Sequence, residues 1–455
     1  MNDLNRVINP ATEEVIAEIP MADTAVAEAA VEKSVIAQRE WIRMSLSARR
    51  DALRAIAGTV RDHVEELALL ECRDVGKPIA EARGEIGGVA ECFEYYAGVV
   101  DKILGDTIPV EGGVDMTFRE PLGVVAVIAP WNFPLPIASW NIAPALAAGN
   151  SVVVKPAELT PLSTIRFGEL VAALDLPENL VQVVTGPGRV VGAVLTSHPS
   201  VAKISFTGST ETGQAVMRSA AGTMKRLTLE LGGKSANIVF ADADLSRAIK
   251  AAPGSVFGNT GQDCCARSRI LVERKVLDDF VAGFIEQTQA MTIGDPESES
   301  THLGPLVSAA HRETVSSFLT DDVDAVLAGN APDGPGFWMA PRVVVAPDPG
   351  SRIVRDEIFG PIAAIIPFDS EEEAVRMAND TIYGLSGSIW TSDVGRALRV
   401  ARAVETGTVS VNSNSSVRIQ TPFGGFKQSG FGRELGLAAI EGYTELKNVF
   451  ISTAE

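Results

Sequence analysis

The chain has 455 residues, 46% of them hydrophobic and 21% charged, so it can bury a large core without covalent staples. Its formal net charge is −19 with no basic stripe, which argues against nucleic acid as a partner and leaves backbone N–H groups and a local Lys to hold any phosphate-bearing cofactor. No apolar run reaches membrane-spanning length, and the opening "MNDLNRVINPATEEV" lacks the layout of a signal peptide, so no membrane partner and a cytoplasmic location are expected.

The first hundred residues read as mostly helical. "AVAEAAVEKSVIAQREW", "RRDALRAIAGTVRDHVEELALLE" and "EIGGVAECFEYYAG" repeat apolar residues at three and four. Cys92 falls on the apolar face of the last of these, as an inert packing thiol.

From about residue 123 the texture changes. "GVVAVIAP", "SVVVKPAE", "LVQVVTG" and "KISFTGST" are short, β-rich and almost wholly apolar, as strands buried on both faces are. "PIASWNIAPALAAG", "PLSTIRFGELVAAL" and "ETGQAVMRSAAG" separate them as helices, which predicts a parallel sheet with crossovers. Several of these strands end in turns rich in Pro, Gly, Ser or Thr, and open α/β sheets bind ligands there. "APWNFPLP" places Trp131, Asn132 and Phe133 at one such end. Asn132 either turns the chain or aims its amide at a developing oxyanion. "VVVKPAELTP" offers Lys155 and Glu158, either as a solvated ion pair or as ribose ligands. "ISFTGSTETG" runs strand, turn, helix, a phosphate-binding arrangement, but without the full dinucleotide fingerprint.

In "RLTLELGGKSANIVF", Glu230 lies within an apolar strand before Gly232 and Gly233. A strand-end Glu often points to solvent. A half-buried one has a raised pKa and accepts a proton near neutrality, which makes Glu230 a candidate base. A second alternating region follows, with strands "SANIVF", "SRILVE", "PRVVVAP", "AAIIPF" and "TVSVN". Its helices are "DADLSRAIKAAPGSVF", "LDDFVAGFIEQTQAM" and "EEEAVRMAND", and "NAPDGPGFWMA" reads as an exposed connection.

Within this region "NTGQDCCARSR" sets Cys264 beside Cys265, after Asp263. A reducing location argues against disulfides, and neighbouring cysteines bridge only with strain. The histidines, His63, His198, His302 and His311, are scattered without zinc-ligand spacing, so no metal is expected. No His lies near Cys264 in sequence. The polar stretch and Gly261 suggest a special turn, and on these residues alone nucleophile and packing thiol stay level.

Taken together, these motifs resemble the NAD(P)-dependent aldehyde dehydrogenase superfamily nearly end to end. The likeness runs from "INPATEEVIAEIP" and "FEYYAG" through "REPLGVVAVIAPWNFPL", "ALAAGNSVVVKPAE", "FTGST", "LELGGKSANIVF" and "NTGQDCCARSR". It continues through "GPLVS", "RDEIFGPI" and "NDTIYGLSGSIWT" to "PFGGFKQSGFGRELG". The resemblance implies Cys264 as nucleophile, Glu230 as general base and Asn132 as oxyanion donor beside the Cys264 N–H. It implies Lys155 and Glu158 at the adenosine ribose, Gly208 and Ser209 at the pyrophosphate, and Glu357 and Phe359 at the nicotinamide side. Ile128, Trp131, Gly188 and Leu231 complete the implied cofactor contacts. Asp263, Cys265 and Phe423 are the implied substrate tunnel.

The implied fold is α/β. A Rossmann-like cofactor domain (1–101 and 123–232) joins an α/β catalytic domain (233–428) and a small β oligomerisation arm with the C-terminal segment (102–122 and 429–455). The implied activity is hydrolytic, non-acylating oxidation of an aldehyde to a carboxylate through a Cys264 thioester, in a homodimer or homotetramer. Glu158 favours NAD, with NADP possible. "GQDC" and "NSNSSVRIQTPFGG" are similar to the corresponding stretches of γ-aminobutyraldehyde and γ-glutamyl-γ-aminobutyraldehyde dehydrogenases, which implies an ω-amino or acylamino aldehyde. A broad-specificity enzyme and, through Arg418, a succinic semialdehyde dehydrogenase are the alternatives. A non-catalytic binding or structural protein is the remote one, since thiol and base are both intact. The chain departs from the family pattern in a shortened connection near "FLTDDVDAVLAGNAPDGPGFW", in His311 where Gln is common, and in Asn141 where Lys is common.

Overall fold

The computed structural model describes residues 4–453 apart from 321, 322, 328 and 416. Asp321, Asp322 and Ala328 of the shortened connection, and Ser416 of the stretch before Phe423, thus lie outside the described residues. The helical reading of the first hundred residues holds as four helices, Thr24–Trp41, Leu46–Asp62, Val64–Val75 and Ile79–Ala97. Asp23 and Ser45 cap the first two by accepting the N–H groups of Val26 and Ala48. Two later helices borrow their caps from Val64–Val75. Glu71 accepts the Leu135 N–H and Asp74 the Leu162 N–H, each at 3.0 Å. Cys92 is fully buried, and its thiol donates to the Ser139 carbonyl.

The first sheet has the strand order Gly430–Phe431, Arg226–Glu230, Val201–Thr207, Val124–Ile128, Ser151–Lys155, Val181–Val183. All its pairings are parallel except that of the edge strand Gly430–Phe431. Register aligns the strand ends, with Ile128 opposite both Lys155 and Phe206, and Thr207 opposite Glu230. The apolar runs that predicted these strands are buried on both sides, Ser151–Lys155 along its whole length. The strand Gly430–Phe431, drawn from the C-terminal segment, lies against Glu230 and Leu229.

The second sheet has the order Ala325–Leu327, Arg342–Val345, Ile362–Phe368, Arg269–Glu273, Ala236–Val239, Ser386–Trp390, Thr408–Val411. Only Ala325–Leu327 runs antiparallel. Ser386–Trp390 is an addition to the sequence reading. It is wholly buried, yet small residues, Ser-Gly-Ser, open it in place of a β-branched run. A separate antiparallel sheet joins Thr107–Val110, Gly113–Pro121 and Thr444–Ser452. No helix among the described residues is long and apolar enough to cross a membrane.

Asn150 shows how the first sheet is tied to its surroundings. Fully buried, it accepts the Gly123 N–H at 2.9 Å and donates to the carbonyls of Ala145 and Tyr443. Asn150→Ala takes this partner from the Gly123 N–H and the Tyr443 carbonyl, while the Ala145 carbonyl keeps the backbone N–H of the same position at 2.9 Å; the cost is about 1–3 kcal/mol for each group that water cannot reach. The apparent urea midpoint should therefore fall clearly, and an unchanged midpoint would show that water replaces the amide.

Candidate active site

The nucleophile candidate sits at the end of a left-handed turn. Asn259, Thr260 and Gly261 have φ of 47°, 56° and 74°. Two of these are not Gly, so the surroundings must hold them there. Asn259 Nδ2 donates to the Asn132 carbonyl at 3.1 Å, and Gln262 Nε2 donates to the Asn259 carbonyl at 3.0 Å. Thr260 Oγ1 donates to the Gly304 carbonyl at 2.9 Å, and Gln262 Oε1 accepts the Val307 N–H at 2.8 Å. Gly261 lies so close to the Gly360 carbonyl that a Cβ would collide with it.

Cys264 emerges partly exposed, while Cys265 is buried. None of the four cysteines is in a disulfide. One carboxylate oxygen of Asp263 and the two sulfurs lie within 4.8 Å of one another. The Cys265 thiol, burial and the charge of Asp263 all push the Cys264 thiol pKa well up, so the resting sulfur keeps its proton. A base has to act for it to react.

Glu230 ends its strand 3% exposed, and neither carboxylate oxygen has a hydrogen-bond partner. Burial first, then the nearby Glu434, raises its pKa well above the carboxylate range, while Arg433 opposes the shift. Such a carboxyl exchanges a proton far more readily near neutrality than an exposed Glu. Glu434 was not singled out from the sequence, although it stands in "GFGRELG". Its Oε1 accepts Asn141 Nδ2 at 2.7 Å, and Asn141 Oδ1 accepts the Tyr443 hydroxyl at 2.6 Å. Burial lifts Glu434 to about 7. Asn132 is buried, and its Nδ2 donates to the Gln262 carbonyl at 2.9 Å. A primary amide has a second N–H to offer.

Cys264, Glu230 and Asn132 line one cavity of about 910 Å³. Ile128, Trp131, Lys155, Glu158, Gly188, Gly208, Ser209, Leu231, Glu357 and Phe359 line it too. That volume is in the range of large-cofactor sites. Lys155 Nζ donates to the Pro156 carbonyl, and burial lowers its pKa. Glu158 Oε1 accepts the Gly188 N–H at 3.0 Å. Ser209 caps the helix Thr210–Ala220, whose N-terminal end faces the cavity through Ser209 and Thr212. A Cβ at Gly208 would press on the Phe206 ring at 2.6 Å, so only Gly leaves this turn open. Glu357 Oε1 accepts the Gly233 N–H at 2.8 Å. Phe359, at φ 57°, meets Trp131 edge-on at 5.2 Å.

Glu158, a buried Lys, a helix N-terminus and a second acid, Glu357, thus line a space of dinucleotide size, and they fit a nicotinamide cofactor. His311 also lines the cavity, with its Nε2 2.8 Å from the Phe359 carbonyl and its pKa lowered by burial. Phe206, Thr196 and Ser219 join the lining as well. They escaped the sequence reading because helix and strand faces carry no local motif. Asp263, Cys265 and Phe423 do not line this cavity. Asp263 Oδ1 accepts the Cys265 N–H at 2.8 Å, and Phe423 meets Trp140 edge-on at 5.5 Å in the cluster that packs against Cys264.

The sequence profile of the aldehyde dehydrogenase family matches residues 2–449. The betaine aldehyde dehydrogenase of Bacillus subtilis is 41% identical over 99% of this chain and 94% of its own. The NADP/NAD-dependent aldehyde dehydrogenase PuuC of Escherichia coli is 40% identical over 99% and 93%. Among solved structures, the betaine aldehyde dehydrogenase of Staphylococcus aureus in complex with NAD+ is similar at a TM-score of 0.95. It is 38% identical and covers 100% of this chain and 92% of its own.

Burial, opposed by the Gly233 N–H and Lys234, lifts Glu357 to about 7 from an ordinary 4.5. Between those values the folded protein keeps a proton that the unfolded chain releases, so this group's stabilising contribution shrinks as pH rises. Glu357→Gln removes the titration and keeps an acceptor for Gly233. The variant's melting temperature minus the parent's should climb from pH 4.5 to about 7 and then level. A difference flat across that range would disprove the raised carboxyl.

Proposed function

The chain belongs to the aldehyde dehydrogenase family and is an NAD(P)-dependent aldehyde dehydrogenase; from that premise we propose that it oxidises aldehydes to carboxylates through a thioester on Cys264. The observation that carries this reading is the single cavity lined by Cys264, Glu230, Asn132 and the cofactor-type residues. Cys264 gives its proton to solvent, and its sulfur bonds to the aldehyde carbon as the carbonyl π bond opens onto oxygen. The carbonyl oxygen takes the charge against the second Asn132 N–H and the Cys264 backbone N–H, donors fixed in advance by the turn. Lys155, Glu158, the Ser209 helix end and Glu357 would hold NAD, which would supply the hydride acceptor for the oxidation. Glu230 then takes a proton from water, the water oxygen attacks the thioester carbon, and the C–S bond breaks to release the carboxylic acid and the Cys264 thiolate, which regains a proton. Glu230 works only when deprotonated, so its raised pKa makes the hydrolytic step accelerate with rising pH.

Glu158 opposes a 2′-phosphate, which supports NAD over NADP. For the substrate, the reading is a short ω-amino or acylamino aldehyde. Asp263 directly precedes Cys264, and an acid at that place supports a cationic tail on the aldehyde. The B. subtilis and S. aureus relatives are named for betaine aldehyde, itself a cation. Arg418, exposed beyond the site, supports a succinic semialdehyde as the second reading. The division into cofactor and catalytic domains is supported by the two separate sheets. Exposed Phe118, Leu446, Phe450 and Ile451 on the third sheet support self-association as a dimer or tetramer.

Cys264→Ala should abolish NADH formation while NAD binding, followed by tryptophan fluorescence, stays within about twofold. Glu230→Gln should still show a burst of NADH and then stall by at least about a hundredfold, with acyl-enzyme visible by mass spectrometry. Steady turnover in Glu230→Gln would remove Glu230 from the mechanism. In a panel of 4-aminobutanal, hexanal and succinic semialdehyde, the amino aldehyde should lead in kcat/KM by at least about tenfold. Equal efficiencies would discard the cationic reading.

A further inference from the structure

Beside the active site lies a buried ion cluster that the proposed reaction leaves unused. Lys77 occupies the turn between the helices Val64–Val75 and Ile79–Ala97, and its side chain has no exposed surface. Its ammonium lies 3.4 Å from Glu71 Oε2, contacts the Glu85 carboxylate and sits 4.4 Å from the centre of the Phe133 ring. A fully buried ammonium is costly unless its partners are well placed, so this grouping holds a fixed geometry.

Two arms lead from it to the chemistry. On one side, Glu71 Oε1 accepts the Leu135 N–H and the Ser163 hydroxyl, both at 3.0 Å. Leu135 opens the helix Pro134–Ala147, which has no side-chain cap of its own, and Phe133 directly follows Asn132. On the other side, Glu81 faces the Asn259 backbone N–H within the field of Lys77. The same corner grips the loop that braces the left-handed turn. Ile79 N–H donates to the Pro296 carbonyl at 2.8 Å, and Gly304 packs on the Gly76 carbonyl with no room for a Cβ. Gly304 in turn accepts Thr260 Oγ1.

We propose that Lys77 is a positioning residue whose buried ion cluster sets the spacing between the Asn132 amide and the Cys264 sulfur. Lys77 acts through the two loops it joins. This inference rests on the reading of Asn132 as oxyanion donor given above. Displacements near 1 Å at such a site cost on the order of a hundredfold in rate.

Removing Lys77 alone strands carboxylates, so the variant is the pair Lys77→Met with Glu85→Gln. It is assayed on hexanal, a neutral aldehyde on which the lost charge has no direct pull. We expect kcat to fall at least about tenfold with the NAD dissociation constant within about twofold. We also expect the further loss to shrink below about twofold when the pair is placed on Asn132→Ala, because residues acting through one another are not additive. A folded pair with parental kcat, or an equal loss in both backgrounds, overturns the inference. If Asn132→Ala by itself leaves kcat unchanged, the oxyanion assignment falls and the positioning role falls with it; an equal loss in both backgrounds removes the positioning role alone. Should the pair fail to fold, as judged by circular dichroism, Glu81→Ala decides. A loss of kcat of at least about threefold at an unchanged melting temperature, absent on Asn132→Ala, supports the role, and parental kcat overturns it.

Discussion

The site depends on how closely the backbone passes between the two main sheets. Arg226–Glu230 belongs to the one and Ala236–Val239 to the other, so the short stretch 231–235 links these two strands. Within that link a Cβ on Gly232 would strike the Glu357 carboxylate, and one on Gly233 would strike the Cys264 carbonyl oxygen. Two missing side chains therefore let the base strand, the nucleophile loop and a cofactor-side acid meet at one crossing. The Gly233 N–H adds a directional bond to Glu357 at 2.8 Å. Any widening there would move all of these groups at once.

The same crossing accounts for what could be read in advance. Ile128, Lys155, Thr207 and Glu230 were legible because each closes an apolar run at a turn, and parallel pairing then carries such ends to one edge. Gly261 signalled an unusual turn, but Asn259 and Thr260 sharing its left-handed backbone did not, since their conformation is held by Gln262 within the turn and by Asn132 and Gly304 from distant segments. Residues alone left Cys264 level between nucleophile and packing. Its place at the cavity wall, while its neighbour is 5% exposed in the core, is what supports the nucleophile reading proposed above. Ser386–Trp390 was missed because Ser-Gly-Ser carries no β-branched signal, although the strand is paired on both sides, with Ala236–Val239 and Thr408–Val411. Lys77 and Glu434 were illegible for another reason. Each looks like a solvated charge in sequence, and only tertiary packing buries it.

That burial is where the fold departs from stability rules. Glu230 and Glu434 are buried and Glu357 is half-buried, all with raised pKa values; Glu357 and Glu434 each accept a hydrogen bond, whereas neither Glu230 oxygen has a partner among the described residues. In a purely structural interior Glu230 would be replaced by an apolar residue or supplied with a partner. In the mechanism proposed above Glu230 takes a proton from water, and a carboxyl with that task keeps its lone pairs uncommitted. The surrounding chain supplies restraint at one remove. Glu434 is fixed by Asn141, Asn141 by Tyr443, and the Tyr443 hydroxyl lies 3.1 Å from Ser205 Oγ.

The distribution of cations completes this logic. Lys203 and Lys234 are buried with pKa values drawn down to about 7, first by burial, and Lys234 has no hydrogen-bond partner. Full ion pairing with Glu230 or Glu357 would have pinned the carboxylates as charged and fixed groups. Lys203 instead donates to Thr228 Oγ1 and lies 4.7 Å from the Tyr443 ring centre, and Lys234 influences Glu357 only through its field. Lys77 is the contrast. Lodged against Glu71 and Glu85, it remains a charge, and its pKa is raised because those carboxylates outweigh burial. Weakly held cations therefore accompany the carboxyls at the cavity, and the tightly paired cation lies beneath the loops that must not move. An interior arranged in this way gives up stability at the reacting groups and recovers rigidity one layer further out.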